Sequence, residues 1–265
     1  MPKITVAVAD GVCVIELTDP PANTYSYEMM REIDAAILDA RMDPAVHVIV
    51  IRGAGEKFFC AGANIAMLKD ATPEFKYYFC LHANETLLRL EQTPKLVVAA
   101  LNGHTVGGGL EVALAADIRI ARRDAGKIGL PEVLLGVLPG TGGTQRLARL
   151  VGKARAIELM ATGRLLAFDE AKQLGIVHDV WGEAELKGRS FADAVLDYAR
   201  QFTPPHKASG AVGRMKRAVQ SGTESGMLEG LSLERELQQL LFQSHDAREG
   251  IVANIEKRKP EFNGR

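Results

Sequence analysis

The hydrophobic pattern along the chain changes period several times, and each change marks an element. Residues 4–8 and Val12–Leu17 are rich in β-branched side chains and flank Asp10-Gly11, a pair suited to a tight turn, which predicts a hairpin. Pro20 and Pro21 then interrupt regular structure. Beyond them Ser26 is placed to cap a helix with an apolar stripe of Met29, Ile33, Ala36, Ile37 and Ala40, and Pro44 follows its end.

Two later stretches resemble each other. Residues 46–51 form an apolar run that leads into a loop and then CAGANIAML, while Leu96–Leu101 lead into NGHT and VGGGLEVAL. In both, a buried strand enters a glycine-bearing loop and then an apolar helix, a weak internal repeat of one strand–turn–helix unit. Buried strands alternating with helices predict an α/β core in which successive units stack. After about residue 200 the pattern changes again. Pro204 and Pro205 close a helix, and three more helices follow with almost no strand signal, LEGLSLERELQQLLFQ and AREGIVANIEKR being the clearest. Helices with wide apolar faces and no sheet beneath them need a partner, so they are expected to fold back on the core or to meet another copy of the chain. The expected division is a core over residues 1–200 and a helical region over 201–265.

Composition narrows the function classes. A hydrophobic share of 47% and a charged share of 25% suit a packed globular chain, and a formal net charge of -1 implies no general attraction to nucleic acid or to an anionic membrane. An anionic ligand would have to be held by a local site. No apolar run is long enough to cross a membrane, and MPKITVAVADG lacks the apolar stretch of a signal peptide. Cys13, Cys60 and Cys80 are odd in number and lack metal or redox spacing, so packing thiols and a reduced, cytoplasmic setting are expected.

The candidate chemistry begins at VGGGLE, residues 106–111. Three glycines before a helix allow close backbone approach and leave N–H groups unpaired at the helix start. Such a start favours negative charge, though the lysine of a Walker phosphate loop is missing, and tight helix–strand packing is the plain alternative. The earlier unit has Gly62-Ala63 where the later one has Gly107-Gly108. Stacked units would aim one N–H each at a common point, the geometry of an oxyanion hole. Glu111 sits in the apolar helix GLEVALAA, and Glu132 follows Pro131 in IGLPEVLLG. Either alone could be an exposed or structurally paired acid. Two beside one glycine loop point to an acid–base pair, because buried carboxylates are costly unless paired or functional. In LPGTGGTQRLARL, residues 140–143 form a loop opening a helix at about Thr144, expected to bring a positive helix end near Glu132. His104 reads as a packing or hydrogen-bonded side chain, and Trp181 as core or interface.

Taken in order and spacing, KFFCAGANI, NGHTVGGGLEVALAADIRIA and LPEVLLGVLPGTGGTQRL resemble the enoyl-CoA hydratase/isomerase family, also called the crotonase superfamily. The resemblance runs from the PPAN segment to the terminal EKRKPEF. It implies an α/β spiral of repeated ββα units with a C-terminal helical region that builds trimers, often paired as hexamers. It implies an oxyanion hole from the N–H groups of Ala63 and Gly108, catalysis by Glu111 and Glu132, and support from Gly107, Gly140, Thr141 and Gly142. The backbone at Ala61, Asn64, Ile65 and Ala66 would receive the adenine and pantetheine end of coenzyme A. Lys257 matches a lysine that reaches the phosphates, often from a neighbouring subunit, and Phe262 would line the acyl pocket. Isomerases of the family usually keep only the acid equivalent to Glu132, so both glutamates together imply a hydratase. Two positions depart from the family pattern. Asn64 stands where AGAD is common, and Ala66 stands where lysine is common, which leaves Lys57 or Lys69 for a phosphate contact.

The implied reaction is reversible syn addition of water to a trans-2-enoyl-CoA, with Glu111 activating the water and Glu132 delivering the proton to the α-carbon. No metal or redox cofactor is called for, since coenzyme A is part of the substrate. PPANTYS, residues 66–78 and the C-terminal helices are expected to shape the acyl pocket. The rival readings are a Δ3-Δ2 isomerase or methylglutaconyl-type hydratase, a non-catalytic CoA- or RNA-binding homologue, and a purely structural oligomer. Retention of both glutamates and the lack of a basic stripe argue against RNA binding.

Overall fold

The computed structural model describes residues 2–264. Its strands are β1 (Ile4–Ala9), β2 (Val12–Leu17), β3 (Val48–Gly53), β4 (Phe58–Cys60), β5 (Leu96–Leu101), β6 (His104–Val106), β7 (Ile118–Arg122), β8 (Lys127–Gly129), β9 (Leu166–Ala167) and β10 (Asp179–Trp181). The helices of the first half are α1 (Tyr27–Met42), α2 (Ile65–Lys69), α3 (Pro73–Gln92) and α4 (Gly108–Leu114). After them come α5 (Gly143–Val151), α6 (Lys153–Thr162), α7 (Phe168–Gln173), α8 (Glu183–Leu186) and α9 (Phe191–Arg200). Three long helices, α10 (Ser209–Gly222), α11 (Met227–Phe242) and α12 (His245–Glu256), close the chain.

The opening hairpin forms as its sequence dictates. Asp10 and Gly11 adopt φ of 51° and 79°, and Ala9 pairs with Val12 across the turn. Ser26 caps α1 by accepting from the Met29 N–H, and the whole predicted stripe is buried, with Met30 added. Burying side chains of this size contributes about 1.5–3 kcal/mol each. The next strand starts two residues later than the apolar run suggests, at Val48 rather than residue 46. The cause lies in β2. His47 and Val48 both donate to the Gly11 carbonyl, so parallel pairing starts where the hairpin turn ends, with Val12 opposite Val48.

The larger sheet has the order β1-β2-β3-β5-β7-β10, and every pair after the hairpin is parallel. Its central strands are buried on both faces, which is why β3 and β5 read as unbroken apolar runs. Ile49, Ile51, Val97 and Ala99 face the cluster that holds α1 and α3. Val48, Val50, Val98 and Ala100 face Phe191, Val195 and Ala199 of α9.

Each of the two similar stretches carries a second, short strand inside its glycine loop, and a third turn repeats the pattern. The smaller sheet, β4-β6-β8-β9, is built from these short strands, with β4, β6 and β8 mutually parallel. The chain therefore winds as a ββα spiral. This stacking decides where the chemistry sits, because it lays Gly62 against Gly108 and the segment after β8 against both.

Among the C-terminal helices, α10 is fixed to the core. A methyl on Gly213 would overlap the Pro94 carbonyl, and the buried Lys216 ammonium pairs with Asp117 at 2.8 Å. The tail then turns back over α12, where Asp246 accepts the N–H groups of Asn263 and Gly264 at 2.9 and 2.8 Å. Among the described residues no helix is long and apolar enough to cross a membrane.

One buried cation secures the far end of α4. Arg119 is buried without an ion-pair partner among the described residues; its guanidinium donates to the carbonyls of Ala113, Ala116 and Ile176 at 3.4, 2.6 and 2.7 Å. Burial draws its pKa down to about 10, so it stays charged near neutrality and answers the negative end of the helix. Arg119→Met leaves three carbonyls without this donor, and urea denaturation is expected to show a loss of about 3 kcal/mol.

Candidate active site

The spiral encloses a cavity of about 250 Å³ between its second and third turns. Tyr25, Ala61, Ala63, Ile65 and Lys76 line one side, Gly107, Gly108 and Glu111 the floor, and Glu132, Leu135, Leu138, Gly140 and Thr141 the other. Glu111, Glu132, Ala63, Gly108, Gly107, Ala61, Ile65, Gly140 and Thr141 thus meet at one cavity.

The backbone creates the floor. Gly107 has φ 58° and opens α4, a conformation that suits glycine, and a side chain there would press on Glu132 Oε1 at 3.1 Å. A methyl on Gly108 would overlap the Tyr25 phenol, and one on Gly109 would overlap the Cys60 carbonyl. The three glycines are therefore required by contact. Tyr25 pairs with the loop before α2, donating its N–H to Gly62 O and accepting from the Asn64 N–H, both at 2.9 Å. Ala63 lies between these two bonds. Neither the Ala63 nor the Gly108 N–H donates to an acceptor among the described residues. Two uncommitted N–H groups on one cavity wall suit an oxygen that gains negative charge.

The two carboxylates live in different surroundings. Glu111 is 2% exposed and fully engaged: its Oε1 accepts the N–H groups of Thr141 at 2.8 Å and Gly143 at 2.7 Å, and its Oε2 accepts the Thr141 hydroxyl. These donors come from the loop that opens α5. The positive helix end expected near Glu132 in fact serves Glu111, because the third turn of the spiral folds over α4. Glu132 begins a short 3-10 turn, Glu132–Leu135, and its Oε2 is sealed from solvent with no hydrogen-bond partner. Burial lifts its carboxyl to about 7, and the nearby Glu111 charge adds to the lift, while its own N–H and Lys76 act in the opposite sense. One acid is held as an acceptor, and the other is poised to exchange a proton near neutral pH.

The sequence profile described as Enoyl-CoA hydratase/isomerase matches residues 7–265. The chain belongs to the enoyl-CoA hydratase/isomerase family. A short-chain-enoyl-CoA hydratase of Clostridium acetobutylicum is 36% identical over 253 residues, 94% of this chain and 93% of that protein. A crotonyl-CoA hydratase of Syntrophomonas wolfei is 35% identical over 256 residues, covering 96% and 95%. The crystal structure of an enoyl-CoA hydratase from Geobacillus kaustophilus superposes with a TM-score of 0.94 at 44% identity, covering 100% of this chain and 98% of that one. The spiral described above is accordingly the crotonase fold.

Other residues marked by the family resemblance fall elsewhere in the chain. Asn64 caps α2 by accepting the Met67 N–H at 3.1 Å, a task the more common aspartate would share. Ala66 is exposed on α2, and Gly142 precedes α5 with φ 113°. Lys257 ends α12 in a left-handed conformation, and Phe262 packs over Gly250 in a separate cavity of about 660 Å³ between α10, α11, α12 and the tail. Neither lines the cavity of the glutamates within its own chain. Lys69 ends α2, and Lys57 lies 5.5 Å from the Phe58 ring centroid. His104 accepts the Lys127 N–H and packs at a tilt against the Phe58 ring, as a hydrogen-bonded packing residue should. Trp181 rests against Phe191 and Tyr198. Burial raises the Cys60 thiol to about 12, which suits a packing role.

Sequence reading missed Tyr25 and Lys76 as individual site residues, although both lie in segments expected to shape the pocket. It also missed the apolar lip. Leu134, Leu135, Val137 and Leu138 line the cavity and are 52% to 74% exposed at its mouth. Gly108→Ala should displace either Tyr25 or the Gly108 N–H. A loss of about a hundredfold in turnover with near-native circular dichroism is the expected result if that N–H meets a developing negative charge.

Proposed function

We propose that this protein catalyses the reversible syn hydration of trans-2-enoyl-CoA thioesters to 3-hydroxyacyl-CoA. The observation that carries this reading is the unequal pair of glutamates sharing one cavity with two uncommitted N–H groups. The relatives named short-chain-enoyl-CoA hydratase and crotonyl-CoA hydratase support the same reaction class.

In this reading the thioester oxygen accepts the Ala63 and Gly108 N–H groups. Charge moving onto that oxygen draws electrons out of the conjugated double bond and leaves C3 electrophilic. Water sits between the carboxylates. Glu111, oriented by its three donors, takes a proton from the water as the water oxygen bonds C3. Glu132, protonated at and below neutral pH, gives its proton to C2. The proton gained by Glu111 must then return to Glu132 before the next cycle. Dehydration runs the same steps backward, with Glu132 as base. The adenine and pantetheine portion would pass over the backbone of Ala61, Asn64, Ile65 and Ala66, and the acyl chain would meet Leu135 and Leu138.

The assembly reading is a homo-oligomer, a trimer or a dimer of trimers. Its support is the exposed apolar faces of the last three helices, including Met215, Val219, Leu228, Phe242 and Ile255. In such an assembly Lys257 and Phe262 would serve a neighbour's cavity. Light scattering at micromolar concentration should then report a trimeric or hexameric mass, and a monomer would refute it.

Activity is read from the loss of 2-enoyl thioester absorbance with crotonyl-CoA. Glu111→Gln and Glu132→Gln should each lower kcat at least about a hundredfold, the usual effect of removing a general acid or base. An active wild type indifferent to Glu111→Gln would instead favour a double-bond isomerase. The pH dependence has a definite sign. A raised carboxyl keeps its proton up to about pH 7, so kcat/KM for hydration should fall above about pH 7 and that for dehydration should rise through the same point.

A further inference from the structure

Tyr25 is 2% exposed and reaches the cavity, yet the hydration chemistry makes no use of its phenol. Its hydroxyl lies 3.1 Å from Thr141 Oγ1. The direction of that bond follows from valence. Thr141 has a single hydroxyl hydrogen, and it is committed to Glu111 Oε2, so Thr141 must accept from Tyr25. The result is a one-way chain of donors from Tyr25 through Thr141 to Glu111.

Several contacts keep the phenol in place. Its ring stacks on Phe79 at 5.8 Å and lies directly against Gly108, while its backbone brackets Ala63 from both sides. Tyr25 therefore touches the anchor of one carboxylate and the segments that carry both free N–H groups. We propose, resting on the hydratase reading, that Tyr25 is a positioning residue that acts through Thr141 to hold the Glu111 carboxyl in the single orientation a base requires. Donation from Tyr25 polarises the Thr141 hydroxyl and strengthens its bond to the carboxylate. Burial and the charge of Glu111 push the phenol well above its ordinary range, so it stays a neutral donor. The titratable groups around this chain are Glu132 across the cavity with Lys76 beside it, and Cys60 and Cys80 next to the Tyr25 ring.

Tyr25→Phe keeps the ring and removes the donor. With crotonyl-CoA, kcat is expected to fall about fivefold, the effect of one neutral hydrogen bond. KM should stay within about twofold, because no substrate contact is lost. The loss should vanish on a Thr141→Val background and persist on Thr141→Ser, which restores the hydroxyl. A Tyr25→Phe enzyme equal to wild type, a change confined to KM, or an equal loss on the Thr141→Val background would overturn the inference alone. A wild type inert toward every 2-enoyl thioester would overturn the hydratase reading and the inference with it. Should Tyr25→Phe fail to fold, Thr141→Val against Thr141→Ser reads the same chain, with kcat lost in the first and kept in the second at unchanged KM.

Discussion

A carboxyl group that is almost wholly removed from water keeps its place only if the protein supplies the hydrogen bonds that water would, and the candidate site is organised around that requirement. Glu111 receives two backbone N–H groups and a hydroxyl from residues 141 and 143. Without them its buried oxygens would be left unpaired, at a cost of about 1–3 kcal/mol each. The donors lie about thirty residues beyond the acceptor, so they arrive only when the third turn of the spiral settles on the second. Formation of this site and completion of the fold are in that sense one event.

The same stacking explains why two glutamates in one cavity take up different chemistry. Glu111 is surrounded by donors, whereas Glu132 sits beside a glycine with one oxygen unpaired, and desolvation raises its pKa. A separation of this kind assigns acid and base by environment rather than by residue type. The glycines are part of the arrangement. Each of Gly107, Gly108 and Gly109 is in contact with a group that a side chain would displace, namely Glu132, Tyr25 and the Cys60 carbonyl.

Around this rigid centre the structure grows looser and more apolar. The 3-10 turn after Glu132 exposes leucines and valines at the cavity mouth, and Lys76 from α3 brings a cation to the same rim. Such a surface suits an amphipathic ligand that is apolar at one end and anionic at the other. Further out, α10 is tied to the sheet by Gly213 and Lys216, while α11 and α12 present apolar faces outward. The centre is held by short polar contacts, and the periphery is left free to meet a partner.

Much of this was legible in the chain itself. The hairpin turn at Asp10-Gly11, the Ser26 cap and the buried stripe of α1 depend on neighbours close in sequence, and the structure reproduces them. The repeated glycine units marked Ala63, Gly108 and Glu111 because their motifs recur at a recognisable spacing, and the family match bears out the fold they implied. Pattern alone misplaced the start of β3 and assigned the α5 helix end to the wrong glutamate. It gave Tyr25 no individual role. All three were decided by contacts between segments distant in sequence: the register against Gly11, the fold of one spiral turn over another, and a phenol meeting Thr141 across 116 positions. Local periodicity carries no information about such partners, because a hydrogen bond or a desolvated carboxyl exists only after the chain has brought both sides together.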